Sequence, residues 1–158
     1  MAITLQYRNR QVDLSAFTGW QAGQRVELGQ SLAAPGNSGQ AIAGILKLIQ
    51  RFVLELFTET GSLIYLPTRG SDFVTKARQG RLRTHLDVRQ AFLSAATLVR
   101  RALQQEEVET DPADERLASL ELISAVVTGD QVKLQVQLTS RAGTRRTFLA
   151  PLTLAPRI

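Results

Sequence analysis

The 158-residue chain has no cysteine and a single histidine, His85. Without thiols there is no disulfide framework, thiolate nucleophile or cysteine metal site. One imidazole cannot assemble the usual acid–base or metal-ligand sets. No apolar run approaches the ~20 residues of a membrane span, and mean hydropathy is -0.05. The opening Met1-Ala2-Ile3-Thr4-Leu5-Gln6-Tyr7 alternates in polarity and lacks a basic start before an apolar core, so no secretory leader is expected. These absences exclude most enzyme classes, and no catalytic residue, cofactor or metal is expected. Hydrophobic residues at 44% and charged residues at 21% are ordinary for a globular chain, and the length fits one domain. Lys and Arg number 19 against 14 Asp and Glu, a net charge of +5, with an isoelectric point near 10.4. That balance bears on anionic partners rather than on fold.

The period of two at Ile3, Leu5 and Tyr7, resumed at Val12 and Leu14, predicts an N-terminal arm or hairpin turning near Arg8-Asn9-Arg10. A further short strand is read at Arg25–Leu28. Residues 1–36 form this arm and a Gly- and Pro-bearing loop; residues 37–158 form an α+β domain. Asn37 or Ser38 is read as a helix N-cap. From there Ile42, Ile45, Leu46, Ile49, Val53 and Leu56 fall at helical spacing, widened by Leu48, Phe52 and Phe57. Leu63-Ile64-Tyr65-Leu66 reads as a short strand stopped by Pro67. Phe73 to Arg78 fits one or two helical turns closed by Gly80. Thr84 or Asp87 opens a second long helix with Val88, Phe92, Ala95, Val99 and Ala102 inward.

Residues 104–116 are acidic and read as a connector. Beyond them the apolar stretch 120–127, the alternating Val132, Leu134, Val136 and Leu138, and a return from Arg145 to Leu154 predict a three-stranded antiparallel meander. Pro151 and Pro156 place its last strand at a sheet edge. The fold class expected is α+β, with two long helices packed on the C-terminal meander and an extended N-terminal arm. The predicted core includes Ile45, Ile49, Phe52, Val53, Phe92, Val99, Val126, Leu134 and Val136.

Chemistry is sparse. Gly36-Asn37-Ser38-Gly39 precedes a helix but lacks the Lys-Ser/Thr ending of a phosphate loop. The carboxylate pairs Glu55/Glu59 and Glu106/Glu107 read as solvated helix ends. His85, at a helix start, reads as a capping or packing residue, with no Ser or Cys motif to serve. Arg69, Lys76, Arg78, Arg81, Arg83 and Arg89 make a basic cluster. It fits a solvated or partner-facing surface and, alternatively, a small basic nucleic-acid-binding module, although no helix-turn-helix, RNP or basic-zipper pattern accompanies it.

From about residue 40 to 154 the chain resembles the small baseplate wedge subunit of contractile phage tails. That family is similar to the type VI secretion baseplate wedge subunit and was once called lysozyme-like. The resemblance rests on the apolar helix and on Phe57-Thr58-Glu59-Thr60-Gly61-Ser62-Leu63-Ile64-Tyr65-Leu66-Pro67-Thr68-Arg69-Gly70, with its threonine, glycine turn, apolar stretch, proline and glycine. A second long helix and an acidic-Arg motif entering the meander complete it. The family's Glu-Pro-Arg-aliphatic motif stands here as Asp114-Glu115-Arg116-Leu117, with Glu in the proline's place.

The resemblance implies a structural, non-enzymatic subunit of a virion tail baseplate, assembled in the host cytoplasm. Its partners would be other wedge proteins, sheath subunits and tube or hub proteins, in several copies around a symmetric ring. Docking on the wedge core bundle would fall to Asp114, Glu115, Arg116 and Leu117. Strand pairing that starts sheath assembly would fall to the last strand, at Thr147, Phe148 and Leu149.

Overall fold

The structure is a computed structural model. It describes residues 13–14, 17–18, 26–27, 29–30 and 41–154. In chain order these form β1 (Asp13–Leu14), β2 (Phe17–Thr18), β3 (Val26–Glu27), β4 (Gly29–Gln30), β5 (Ala41–Ile42), α1 (Ile45–Phe57), α2 (Phe73–Arg78), α3 (His85–Glu106), β6 (Leu117–Thr128), β7 (Gln131–Ser140) and β8 (Arg145–Thr153). The Arg8–Arg10 turn, the Asn37/Ser38 cap and the boundary at 36/37 lie outside the described residues.

The C-terminal meander is antiparallel, β6 to β7 to β8. β3 joins it in parallel, Val26 opposite Phe148 and Glu27 opposite Leu149, giving the order β3-β8-β7-β6. β1 pairs antiparallel with β5, and β2 with β4. At Phe148 and Leu149 the last strand is therefore not a sheet edge: β3 of the same chain takes that side, and Pro151 lies beyond this pairing. The terminal strands of the sheet are β3 and β6.

Helix α1 begins at Ile45, later than its apolar spacing predicts, because Ile42 is already in β5 and Gly44 turns the chain with φ of 63°. Its buried side, with Leu48, Ile49, Phe52, Val53 and Leu56, meets α3 and the sheet. Phe52 is the hinge of that packing. Its ring lies 6.2 Å from Phe148 in β8 and 6.4 Å from Phe92 in α3, and Phe92 meets Phe73 of α2 edge-on at 6.4 Å. Such tilted contacts suit the ring quadrupoles and add to burial of the rings themselves.

Helix α3 opens on a capping box: the Asp87 N–H donates to the Thr84 hydroxyl at 3.1 Å, and the Thr84 N–H donates to Asp87 Oδ2 at 2.9 Å. The Thr84 side chain and backbone thereby hold the Asp87 carboxyl below its ordinary pKa. His85 is exposed and does not cap the helix.

Two expectations fail for local reasons. Val126 is 51% exposed rather than in the core. The irregularity between Leu122 and Ser124 shifts the pleat by one residue, so Ala125 and Val127 turn inward and Val126 outward. Leu63–Leu66 is no strand. Leu66 N–H donates to Leu63 O at 3.1 Å and Arg69 N–H to Leu66 O at 3.0 Å, making successive turns in place of a ladder. The other predicted core positions are buried.

Candidate docking surfaces

Three features of the described residues bear on function. The first is the elbow between α3 and β6, where the Asp114–Leu117 motif sits. Glu115 is buried, and its carboxylate accepts from the Gly44 N–H at 3.2 Å and from Lys47 Nζ at 2.8 Å. It thus places a negative charge at the N-terminal end of α1, where unsatisfied N–H groups and the helix dipole favour one. Leu117 is fully buried in the core, and its N–H donates to Glu107 Oε1 at 2.6 Å. Glu107 also pairs with Arg141 Nη2 at 2.9 Å. The Arg141 N–H donates to the Arg116 carbonyl at 2.9 Å and the Ala142 N–H to the Ala113 carbonyl at 3.0 Å, which ties the elbow to the β7–β8 turn.

Glu115 and Leu117 are therefore buried and engaged within the fold. The remaining two motif residues, Asp114 and Arg116, are half-buried. Arg116 Nε is enclosed and has no hydrogen-bond partner among the described residues. An enclosed guanidinium nitrogen without an acceptor is costly unless another chain supplies one. Replacing Arg116 with Ala is expected to leave the melting temperature of the isolated protein within about 2 °C of wild type, since its side chain forms no ion pair among the described residues. A drop of about 6 °C or more would make Arg116 a structural residue instead.

The second feature is the sheet edge. Thr147, Phe148 and Leu149 do not gather with the elbow: they lie along β8, whereas Leu117 opens β6 on the far side of β7. Phe148 is buried in the core, and Thr147 accepts from Gln137 Nε2 at 3.2 Å. With Phe148 and Leu149 paired to β3, the longest terminal strand is β6. Its 12 residues, Leu117 to Thr128, carry one charge, Glu121, and no proline. Among the described residues its start is closed over, where Gln104 Nε2 reaches the Leu117 carbonyl at 3.4 Å and Glu107 takes the Leu117 N–H. Ser119, Glu121, Ile123 and Val126 are exposed along it.

The third is the segment 58–71, which closes back on itself. Glu55, expected as a solvated helix end, is buried and accepts from Arg69 Nε and Nη2 at 2.7 Å each and from the Gly70 N–H at 2.8 Å. Arg69 reaches Glu106 as well, and Arg51 pairs with Glu106 at 3.3 Å. Burial alone would raise the Glu55 carboxyl. The Arg69 hydrogen bonds, the Gly70 N–H and the charges of Arg69 and Arg51 together outweigh it and hold Glu55 below the usual carboxylate range. The Ser71 N–H donates to the Thr58 carbonyl at 2.8 Å, and the Ser71 hydroxyl to the Leu56 carbonyl at 2.6 Å. This clamp projects the apolar tip Leu63–Leu66 into solvent, with Ile64 87% and Tyr65 94% exposed. The apolar run between Gly61 and Pro67 was the available sign of it, but four residues fit a strand and a turn equally.

Half of the basic cluster is ion-paired within the chain. Besides Arg69, Arg78 pairs with Glu59 at 2.8 Å and Lys76 with Asp72 at 2.6 Å, while Arg83 Nε donates to the Gly80 carbonyl. Arg81, Arg83 and Arg89 have no ion pair among the described residues, and three charges are few for a phosphate track. A shallow groove lined by Lys76, Arg81, Leu82, Asp87, Gln90 and Ala91 offers no free acid, because Asp87 is engaged as the cap. No group of three His, Asp or Glu able to hold a metal ion occurs among the described residues. Nor, among them, is any helix long and apolar enough to cross a membrane.

No family model and no curated protein matches the chain. Among solved structures, a crystal structure from Geobacter sulfurreducens, of a protein provisionally named a tail lysozyme, is similar. The two are 12% identical with a TM-score of 0.45, over 76% of this chain and 100% of that one. A likeness of that size carries no functional argument.

Proposed function

We propose that this chain is a structural subunit of a phage-tail-type assembly, a baseplate wedge component that seeds sheath assembly by lending a backbone edge to a neighbour's strand. The observation that carries this reading is β6: a long terminal strand with one charge, no proline and several exposed apolar side chains. Natural sheets blunt such edges with lysine, proline, bulges or a covering element; β6 is irregular at Leu117/Ser119 and Leu122/Ser124 but has neither lysine nor proline, and Ser124–Thr128 pairs regularly with β7. Main-chain hydrogen bonds would supply the affinity, and alternate side chains the register. The ordered motifs from Thr58 to Leu117 support the same reading, as does the enclosed Arg116 beside Asp114, which suits docking on a helical core bundle.

Compared with the expectation from sequence, the proposed pairing edge moves from Thr147–Leu149 to β6, because β3 already occupies the former. The test places lysine on the edge. Ile123→Lys with Val126→Lys is expected to leave the isolated fold intact, since both side chains point outward, and to abolish co-purification with sheath subunits. Undiminished co-purification by a folded double variant would refute edge pairing at β6.

A further inference from the structure

The outer face of α3 has features that neither the fold nor strand pairing uses. Leu86, Leu93 and Arg100 follow one another at intervals of seven, and Arg89 lies beside them, so all four share one side of the helix. That side lies away from the buried Ala91 and Ala95 and borders the buried Ala96 and Leu103. Leu86 is 55% and Leu93 48% exposed. Arg101 stands on the shoulder of the stripe and is exposed. From Leu86 to Arg100 the stripe runs about 21 Å.

Its charge is of one sign. Between Val88 and Gln105 the helix contains no Asp or Glu, so Arg89, Arg100 and Arg101 have no acid three or four residues away. None of the three forms an ion pair among the described residues. The charge of this stripe is therefore open to a partner from outside the chain.

We infer that this face receives an acidic amphipathic helix from a different protein, with apolar residues meeting Leu86 and Leu93 and carboxylates meeting Arg89, Arg100 and Arg101. Charge complementarity selects the acid, and the leucines between the arginines select a protein over a nucleic acid, whose phosphates gain nothing from them. A second copy of this chain does not fit. The described part offers no helix with an acidic outer face: α2 has no acid, α1 has only the buried Glu55, and α3 has only Asp87 and Glu106 at its ends. Nor does the connector supply one, because residues 107–116 are not helical and Glu106, Glu107 and Glu115 are engaged within the fold.

The probe is a fluorescein-labelled helical peptide of about three heptads, Leu at the a and d positions and Glu at the e and g positions, with a twin carrying Gln for Glu. Anisotropy titrations use the full chain at about 50 mM salt. Saturable binding of the Glu peptide is expected, at least tenfold tighter than that of the Gln twin. Arg89→Glu with Arg100→Glu should weaken it at least tenfold, and so should Leu86→Ser with Leu93→Ser. All four substitutions are on the surface, so melting temperatures should hold and binding loss can be read directly. Equal affinity for the two peptides, or leucine variants that bind like wild type, would overturn the inference. So would tighter binding of a DNA duplex than of the Glu peptide. These outcomes concern α3 alone and leave strand pairing at β6 as a separate question.

Discussion

Glu55→Gln should lower the melting temperature by about 6–12 °C, corresponding to about 3 kcal/mol in a chain of this size. The Glu55 side chain is 7% accessible and accepts three hydrogen bonds, two from the Arg69 fork and one from the Gly70 N–H. Removing one partner of such a pair leaves the other charge with its desolvation cost and less to offset it. The lower end of the range for buried pairs applies, because Arg69 keeps 21% exposure and a second partner in Glu106. The pH dependence distinguishes a charge effect from a packing effect. Glu55 has its pKa depressed in the folded state, so it stabilises fully above the ordinary value of 4.5 and the contribution fades as pH falls through the depressed value. The gap between wild type and Glu55→Gln should therefore be widest near neutrality and close in acid, as followed by thermal melts across pH. A gap independent of pH would mean that shape, not charge, holds the clamp.

Gly70→Ala is expected to be at least as damaging, about 3 kcal/mol or more. Gly70 has φ of +94°, and a Cβ there would stand 2.4 Å from the Thr58 carbonyl oxygen. That oxygen cannot retreat cheaply, because it accepts from the Ser71 N–H and the adjoining Glu59 and Ser71 form a parallel bridge. Gly61 in the same segment is the control. Its φ is +83° but nothing lies within 4 Å of the added atom, so Gly61→Ala should cost only the backbone preference, about 1–2 kcal/mol. Equal losses at the two positions, measured by denaturant melts, would mean that contact with Thr58 is unimportant.

Both substitutions act on the segment that the sequence presents least clearly. Long periodic stretches were legible: the inward faces of α1 and α3 and the strict alternation of β7 reappear as burial. Leu63–Leu66 misled because a four-residue apolar run shows no period, and the ion pair that turns it outward joins Glu55 to a residue 14 positions away. Val126 misled because one bulge inverts every following side chain, and no residue type in β6 announces it. Of the candidate site, the motif Asp114–Leu117 was found by its order in the chain, yet Glu115 and Leu117 turn out to serve the fold through Gly44, Lys47 and the core. The partner of the last strand was out of reach of local reading, since β3 comes from more than a hundred residues upstream.

The central claim is that a neighbour grips this protein by the backbone of β6. Hydrogen–deuterium exchange of β6 amides, compared between the isolated chain and the chain within purified tail particles, tests it most directly. Those amides of β6 that face away from β7 should exchange rapidly in the isolated protein and become strongly protected in the particle, with β7 slow in both. Amides of β6 that exchange equally fast in the two states would contradict the account.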